Sequence, residues 1–273
     1  TSMKIALCLS GQMRAMKHCI HTIETAFPDC DVDIYATIWE YEDNKNISRL
    51  KYNSNVVYLD KITNEDLAIH KVFERQVIRR GFFGKHNIRN WAPIPVWNLI
   101  RIEMMAKNSF RPVTSDYDYV VRSRFDMKYL QDLRPLLSKD SILLSEDIGG
   151  SSPGDTWKDT RQVFDGFAAG SFTNMLKYYG FTTWLPSYFN YHDEVLKAER
   201  TLGWYLEKVI NVNRVYKRDI LGIQINDEEW YNRSTKERAE SLDVKQEATF
   251  NFYKEDMKKN HPDIFHEIES CFD

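Results

Sequence analysis

The chain of 273 residues has the length and apolar content of one large α/β domain with an extension, since 42% of its residues are hydrophobic and 14% aromatic. Its 37 basic and 40 acidic residues give a net charge of -3, so the chain lacks the excess of basic residues that is typical of a nucleic-acid-binding protein. No stretch approaches the roughly 18 consecutive apolar residues of a membrane span, so we expect no transmembrane segment and at most peripheral contact with a membrane.

The first predicted unit is a strand followed by a loop and a helix. Residues 5–9 are all apolar, as in a strand that is buried on both faces, and this strand ends at Ser10. Apolar residues then recur at three- and four-residue steps from Met13 to Phe27, which predicts a helix that Pro28 closes.

The remaining elements continue this alternation. Further strands are predicted over residues 33–39, 55–59, 142–144 and 212–216, with another that begins at Tyr117. Helices are predicted over residues 63–79, 95–109, 130–137 and 193–210, with another that follows the N-cap Ser171. This order favours a mostly parallel sheet with helices on both faces. The chain is highly charged from about residue 227, and we expect a helical extension over 227–273 that packs on a domain over 3–226.

The cysteines and histidines argue against a zinc site and against disulfides. The four cysteines form neither a CxxC pair nor a zinc-binding spacing, and we expect reduced, mostly buried thiols as in a cytoplasmic protein. The seven histidines form no HxH or HExxH motif, which argues against a zinc site.

The first candidate site follows the first strand and comprises Ser10, Gly11, Gln12 and Arg14. A glycine lets backbone N–H groups approach a ligand closely, and an arginine at the start of a helix suits a phosphate. The segment is neither a P-loop nor a GxGxxG motif. An ordinary tight turn with a solvated arginine explains the same residues.

The second candidate site ends the strand that begins at Tyr117. In an extended chain Arg122, Arg124 and Asp126 share one face, because side chains alternate with a period of two. Two guanidinium groups and a carboxylate suit a diphosphate, or one divalent metal bound against it. The alternative is an internal salt-bridge ladder of arginine and aspartate, which would bury several charges without a ligand.

The third candidate site lies around Asp165, where small residues leave room beside one carboxylate up to Gly170 and Ser171. The same small residues would also serve close packing. A long polar loop precedes this segment, and Trp157 within it is a candidate sugar-binding face. Further acids stand near the start of the following helix: Asp193, Glu194 and Glu199.

The chain resembles the GT-A-type nucleotide-sugar glycosyltransferases, in particular those of bacterial and large-virus surface glycan and polysaccharide biosynthesis. The resemblance covers residues 3–216 and rests on the order and spacing of five segments: ALCLSGQMR, DVDIYATIW, YDYVVRSRFDM, FDGFAAGSFTNMLKYY and ERTLGWYLEK. It implies a GT-A-like Rossmann-type fold. It also implies transfer of a sugar from a nucleoside-diphosphate sugar, such as a UDP-sugar, to a hydroxyl of a glycan or glycolipid acceptor.

The resemblance assigns roles to the candidate residues. Those expected to bind the nucleotide sugar are Ser10, Gly11, Gln12, Arg14, Arg122, Arg124, Asp126, Trp157, Gly170 and Ser171. An inverting enzyme also needs a carboxylate base, for which Asp165 is the first candidate, followed by Asp193, Glu194 and Glu199. A retaining enzyme needs no such base, and the sequence leaves the stereochemistry open.

The acidic motif departs from the family pattern. Members often carry Asp-X-Asp, which holds a divalent metal on the donor diphosphate, whereas this chain has Arg124-Phe125-Asp126. Two alternatives follow: Asp126 binds Mn or Mg with waters and phosphates as the other ligands, or Arg122 and Arg124 neutralise the diphosphate without a metal. Two non-enzymatic functions also remain, a nucleotide- or glycan-binding module and a scaffold.

Overall fold

The computed structural model describes residues 2–13, 15–63, 66, 93–146, 156–157, 160–191 and 198–223, together with 255, 258, 259, 262, 265 and 266. The strands are β1 Lys4–Ser10, β2 Asp31–Trp39, β3 Asn55–Ile62, β4 Tyr119–Arg124, β5 Met127–Tyr129, β6 Ile142–Ser145, β7 Thr156–Trp157, β8 Thr160–Arg161, β9 Phe167–Gly170, β10 Arg214–Lys217 and β11 Leu221–Ile223. The α-helices are α1 Met16–Cys19, α2 Ile23–Ala26, α3 Asn44–Asn53, α4 Pro93–Phe110, α5 Phe172–Tyr178, α6 Phe181–Tyr191 and α7 Ala198–Trp204.

A seven-stranded sheet in the order β10-β6-β9-β4-β1-β2-β3 forms the centre of the fold. The pairs of β1 with β2, β1 with β4, β2 with β3 and β6 with β10 are parallel. Strand β9 alone runs antiparallel to its neighbours β4 and β6 within this sheet. The carboxyl ends of the other six strands therefore lie at one edge, which we call the carboxyl edge.

Apolar clusters cover both faces of the sheet. On one face, the alternate residues Ala6, Cys8 and Val120 pack with residues of α4 to α7. On the other face, Ile5, Leu7 and Val121 pack with the segment from α1 to α2 and with α3. Burial on both faces explains why the central strands are continuous apolar runs. The predicted fold class, a mostly parallel α/β sheet with helices on both faces, is confirmed.

Several predicted elements differ in detail from those observed. The helix predicted after β1 is divided into α1, a 3₁₀ turn over Ile20–Thr22 and α2. The helix predicted over 130–137 is a 3₁₀ turn, Arg134–Leu136, and the π-helix Tyr205–Val209 follows α7. Helix α3 was not predicted.

Other predictions fall largely outside the described residues. Thr63 and Asp66 form a reciprocal cap, in which the backbone N–H of each donates to the side chain of the other. The rest of the predicted helix, over residues 64–79 apart from Asp66, lies outside the described residues. The boundary at residue 226 and most of the 227–273 extension also lie outside them, so the two-part division stays a prediction. Within the described part of the chain, no helix is both long and apolar enough to cross a membrane.

We expect Gly203→Ala to destabilise the fold by about 1–3 kcal/mol, the usual cost of overpacking. A Cβ atom at Gly203 in α7 would overlap the carbonyl oxygen of Arg161 in β8. Helix propensity alone would favour alanine by about 1 kcal/mol, so a net loss can only come from this overlap. Urea unfolding followed by circular dichroism measures the change.

Gly222→Ala is the matched control. A Cβ atom there would lie 3.8 Å from Cδ2 of Leu130, an ordinary van der Waals contact. We expect a change within about 0.5 kcal/mol for this control. Unaltered stability of the Gly203 variant would contradict the docking of α7 on β8.

Candidate active site

The candidate site is a set of loops at the carboxyl edge of the sheet. Ser10, the last residue of β1, lies opposite Arg124 of β4 and opposite Thr37 of β2 in the strand register. Two of the predicted motifs therefore meet on adjacent strands. The carboxyl edge of an open α/β sheet is also where such folds bind their ligands.

A glycine with positive φ shapes the turn after β1, and hydrogen bonds to β2 and to a carboxylate of the following loop fix it. Gly11 has a φ of 107°, which a side chain would strain, and its N–H donates to the carbonyl of Thr37 at 3.2 Å. The N–H of Met13 donates to Oε1 of Glu42 at 2.9 Å, and burial raises the pKa of that carboxyl group. Gln12 is exposed between these two anchors, whereas Arg14 lies outside the described residues.

An aromatic face next to this turn was missed by the sequence analysis. Tyr41 is 66% exposed and stacks on Trp39 with a centroid distance of 6.0 Å and an interplanar angle of 7°. Both residues belong to the end of β2 and its loop, beside the Gly11 turn. The sequence WEY, which spans the last residue of a predicted strand and the two residues after it, is the signal that could have identified this face.

Arg124 and Asp126 form a bidentate ion pair at the end of β4. Nε of Arg124 donates to Oδ1 at 2.9 Å and Nη2 donates to Oδ2 at 2.5 Å. The side chain of Arg124 is 30% exposed, whereas that of Asp126 is only 7% exposed. Asp126 thus orients the guanidinium group from behind, and the arginine is the member of the pair that solvent or a ligand can reach.

The prediction that Arg122 clamps a ligand is wrong. Arg122 is buried, at 1% exposure, and its Nη1 and Nη2 donate to the carboxylate of Glu103 at 2.7 and 2.5 Å. Nη1 also donates to the hydroxyl of Tyr178 at 2.9 Å. The alternative of internal salt bridges therefore describes Arg122, although its partner is a glutamate, and the pair of Arg124 and Asp126 is an internal salt bridge of the expected kind. The Arg122 pair joins β4 to α4 and α5.

The charges of this buried group are mutually dependent. Burial raises the pKa of Glu103, and the guanidinium of Arg122 opposes that shift. Burial alone would lower the pKa of Arg122, but Glu103 outweighs it and raises this pKa well above its ordinary value. Asp165 also raises the pKa of Glu103, which places its carboxylate within electrostatic reach of the buried pair.

The third motif is split between the two edges of the sheet. Because β9 is antiparallel, the turn of Asp165 and Gly166 before it lies at the carboxyl edge, since Phe167 pairs with Ser123. A Cβ atom at Gly166 would lie 3.0 Å from Cδ of Arg124, so this turn packs directly on the arginine. The closest obstacle to such a Cβ atom is Cζ of the Phe164 ring, so a side chain here would have to displace that ring as well as Arg124.

The assignment of Gly170 and Ser171 to the binding site is wrong. Gly170 pairs with Val120 near the beginning of β4, at the opposite edge of the sheet. Ser171 caps α5, where its Oγ accepts from the N–H of Asn174 at 3.3 Å. These residues serve helix capping and packing, and their assignment failed because the direction of β9 was not predicted.

The remaining predicted residues are only partly described. Asp165 is half-buried, and its turn is held by the N–H of Val163, which donates to the carbonyl of Glu199 at 2.9 Å. Glu199 thus contributes its backbone near the site. Asp193 and Glu194 lie outside the described residues, and the side chain of Trp157 is also outside them.

The described residues do not by themselves fit a divalent metal at Asp126. Both carboxylate oxygens of Asp126 accept from Arg124. No group of three histidine, cysteine, aspartate or glutamate side chains suited to a metal occurs in the described part of the chain. Hard cations such as Mn and Mg need several oxygen ligands, and of the two arginines in the metal-free alternative only Arg124 is accessible. The choice between metal and arginine therefore stays a prediction.

Comparisons with known proteins find similarity of fold only. No protein-family model matches the sequence, and no curated protein matches it. The structure is similar to that of galactosyltransferase LgtC with donor and acceptor sugar analogs, with a TM-score of 0.44, 14% identity and coverage of 78% of this chain and 73% of that one. An active-site mutant of LgtC gives a TM-score of 0.45 and 14% identity over 78% and 72%. The apo form of glycosyltransferase GlyE from Streptococcus pneumoniae TIGR4 gives a TM-score of 0.43 and 13% identity. The match covers 79% of this chain and 45% of that one.

A double-mutant cycle tests the structural role of Arg122. Glu103→Leu leaves a buried guanidinium without its carboxylate, and we expect a loss of about 3–5 kcal/mol in the free energy of unfolding. Adding Arg122→Met removes the stranded charge, so the double variant should be more stable than the Glu103 variant. Urea unfolding of the three proteins measures both effects.

The partly exposed pair of Asp132 and Arg134 is the control, with an Nη2 to Oδ2 distance of 2.7 Å and about a third of each side chain open to solvent. Asp132→Asn should cost no more than about 1 kcal/mol, as for other surface ion pairs. Equal losses for Glu103→Leu and Asp132→Asn would contradict the burial of Arg122.

Proposed function

We propose that this chain is a glycosyltransferase that moves a sugar from a nucleoside-diphosphate sugar to a hydroxyl of a glycan or glycolipid acceptor. The observation that carries the proposal is the meeting of three loops at the carboxyl edge. They are the Gly11 turn, the Arg124–Asp126 pair and the Asp165–Gly166 turn. The segments that form these loops are also those that resemble the GT-A-type enzymes.

The nucleotide is proposed to bind over β1 and β2. Gly11 has no side chain, so the backbone of this turn can lie close to a ribose or phosphate. The exposed ring of Tyr41, stacked on Trp39, offers a flat face on which a base can stack. A UDP-sugar is the first donor to test.

Arg124 is the group proposed to stabilise the leaving diphosphate. Negative charge grows on the diphosphate as its bond to the sugar breaks, and a fixed cation at that point lowers the barrier. Arg124 is oriented by two hydrogen bonds to Asp126 and by packing on Gly166, so it needs little reorganisation when the charge develops. Mn or Mg would need ligands in addition to Asp126, both of whose carboxylate oxygens accept from Arg124.

Asp165 is proposed as the catalytic base if the enzyme is inverting. Its turn packs on Arg124 through Gly166, which supports a position for its carboxylate near the proposed diphosphate. The carboxylate would accept the proton of the acceptor hydroxyl, whose oxygen forms the new bond to the sugar carbon while the bond to the diphosphate breaks. In a retaining enzyme Asp165 would position the acceptor and take no proton.

The biological setting is proposed as cytoplasmic polysaccharide or surface glycan biosynthesis. Cys8 and Cys19 are buried free thiols, in keeping with a reducing compartment. The donor would be a cytoplasmic nucleotide sugar, and the acceptor a glycan or glycolipid that the chain reaches from that side. Contact with a membrane surface through a glycolipid acceptor is compatible with this setting.

The donor is identified by a melting-temperature screen against UDP-, GDP-, CMP- and dTDP-sugars, each with Mn and with EDTA. A true donor at 100 times its dissociation constant should stabilise the fold by about 2.7 kcal/mol. We expect the shift to be similar with Mn and with EDTA, because Arg124 supplies the positive charge. A shift that requires Mn would contradict the arginine alternative and would indicate metal ligands outside the described residues.

The Asp126→Ala variant tests the site with the donor from this screen. Loss of Asp126 leaves Arg124 without its orienting carboxylate, and we expect transfer to fall by about 100-fold or more, as when one preorganised charge-stabilising group is lost. We expect the fold to persist because the guanidinium that loses its partner is partly exposed. Since Asp126 itself is buried, the melting temperature of the variant is measured alongside the rate. Turnover of donor and acceptor, measured as released nucleoside diphosphate, gives the rate.

Asp132→Ala is the matched control, because Asp132 also pairs with an arginine two residues away but lies outside the site. We expect transfer by this variant at the rate of the unaltered protein. Near-normal turnover by Asp126→Ala would contradict the site assignment. A non-catalytic nucleotide- or glycan-binding module would show the thermal shift with neither transfer nor donor hydrolysis.

A further inference from the structure

A second group of charges lies along the carboxyl edge, at the ends of β6 and β10. Glu146 follows β6, and its Oε1 lies 3.3 Å from Nη2 of Arg161 and 3.2 Å from Nε of Arg218. The N–H of Glu146 donates to the carbonyl of Lys217 at 2.9 Å, which fixes the end of β6 beside the end of β10. We call Glu146, Arg161 and Arg218 the arginine cluster.

One guanidinium of the arginine cluster has hydrogen-bonding capacity left over. The Nε and Nη2 atoms of Arg161 are shielded from solvent and make no hydrogen bond within the described part of the chain. The guanidinium lies over the ring of Tyr216, with Cζ 3.9 Å from the ring centroid. This contact restrains the guanidinium, while its unsatisfied donors are the kind of exception that a missing anion explains.

The internal carboxylate satisfies this cluster poorly. A single oxygen of Glu146 contacts both arginines at distances above 3 Å, whereas the contacts between Arg124 and Asp126 are 2.9 and 2.5 Å. Charge-assisted hydrogen bonds are normally about 2.7–2.9 Å long. The cluster carries two positive charges against one negative charge, and Lys217 adds a further exposed cation beside it.

The position of the arginine cluster relates it to the candidate active site. Strands β6 and β10 lie two and three places from β4 in the sheet, so at about 4.8 Å per strand the cluster is roughly 10–14 Å from Arg124 along the edge. The segment from Arg161 to Asp165 connects the two places directly. This separation corresponds to one or two sugar units or to a sugar with a phosphate.

We propose that the arginine cluster binds a phosphate group of the acceptor, which replaces the carboxylate of Glu146 between Arg161 and Arg218. A tetrahedral phosphate has enough oxygens to accept from both guanidiniums and from the unsatisfied donors of Arg161. The acceptor class is then a phosphate-bearing glycan or glycolipid. That the bound phosphate belongs to an acceptor rests on the proposed function, whereas the presence of a phosphate site does not.

Nuclear magnetic resonance of the arginine Nε–H groups tests the proposal on the full chain. Inorganic phosphate is titrated at constant ionic strength, with sodium chloride as the balancing salt. We expect saturable shifts of the Arg161 and Arg218 signals. The shifts should persist in Arg124→Gln, which distinguishes this site from the proposed donor site.

Two variants of opposite expected sign sharpen the test. Arg218→Gln should weaken phosphate binding about tenfold, as for one lost charge-assisted contact. Glu146→Gln should tighten it, because the competing carboxylate is gone, whereas a purely structural Glu146 would give weaker binding or none. Lys51→Gln, which removes an exposed cation from α3, is the matched control and should leave the affinity unchanged.

Several outcomes would overturn the proposal. They are shifts that do not saturate, shifts that sodium chloride alone reproduces, loss of binding in Glu146→Gln, or tighter binding of glucuronate than of phosphate.

Inorganic pyrophosphate is titrated in parallel: tighter binding of pyrophosphate supports a diphosphate-linked acceptor, and tighter binding of phosphate supports a monoester. Phosphate binding without any glycosyl transfer would retain the site and refute the enzyme, so the two failures are distinguishable.

Discussion

Strand β9 runs against β4 and β6, and this reversal determines which groups can meet at the carboxyl edge. It brings the chain to that edge just before β9, so that Asp165 and Gly166 arrive beside Arg124. It also sends Ser171 to the far edge, where it caps α5. With a parallel β9, the residues at the two ends of this strand would exchange places, and Arg124 would lose its neighbour.

The buried Arg122 is the structural counterpart of the exposed Arg124. Both belong to β4, but Arg122 is fully paired with Glu103 from α4 and with Tyr178 from α5, and it locks these helices onto the sheet. A buried pair of this kind tolerates no loss of one partner, because the remaining charge stays in an apolar surrounding. These hydrogen bonds tie β4 to α4 and α5, and the same strand carries Arg124 at its end.

The sequence predicted the central strands, the fold class and the approximate location of the site, because continuous apolar runs and strand-end polar residues follow from local chemistry. Helix α3 was not predicted because only Ile47 and Leu50 of its ten residues are buried, which leaves little apolar periodicity in its sequence. The roles of Arg122 and Ser171 escaped for a different reason: they depend on a partner 19 residues away in α4 and on the direction of β9. The periodicity of the sequence contains neither piece of information.

The arginine cluster was not predicted because Arg161, Glu146 and Arg218 come from three separate segments of the chain.

The two charged groups at the carboxyl edge follow one physical rule, in that each arginine has a carboxylate partner from the chain itself. At Arg124 the partner is tightly bound and lies behind the guanidinium, so an incoming anion adds to the pair and Asp126 stays as its support. In the arginine cluster the partner is loosely bound between two guanidiniums, so an incoming anion must compete with it. Competition lowers affinity but also prevents a strong permanent complex, which suits a group that must leave after each turnover. The first arrangement therefore suits stabilisation of a developing charge, and the second suits reversible recognition of a charge already present.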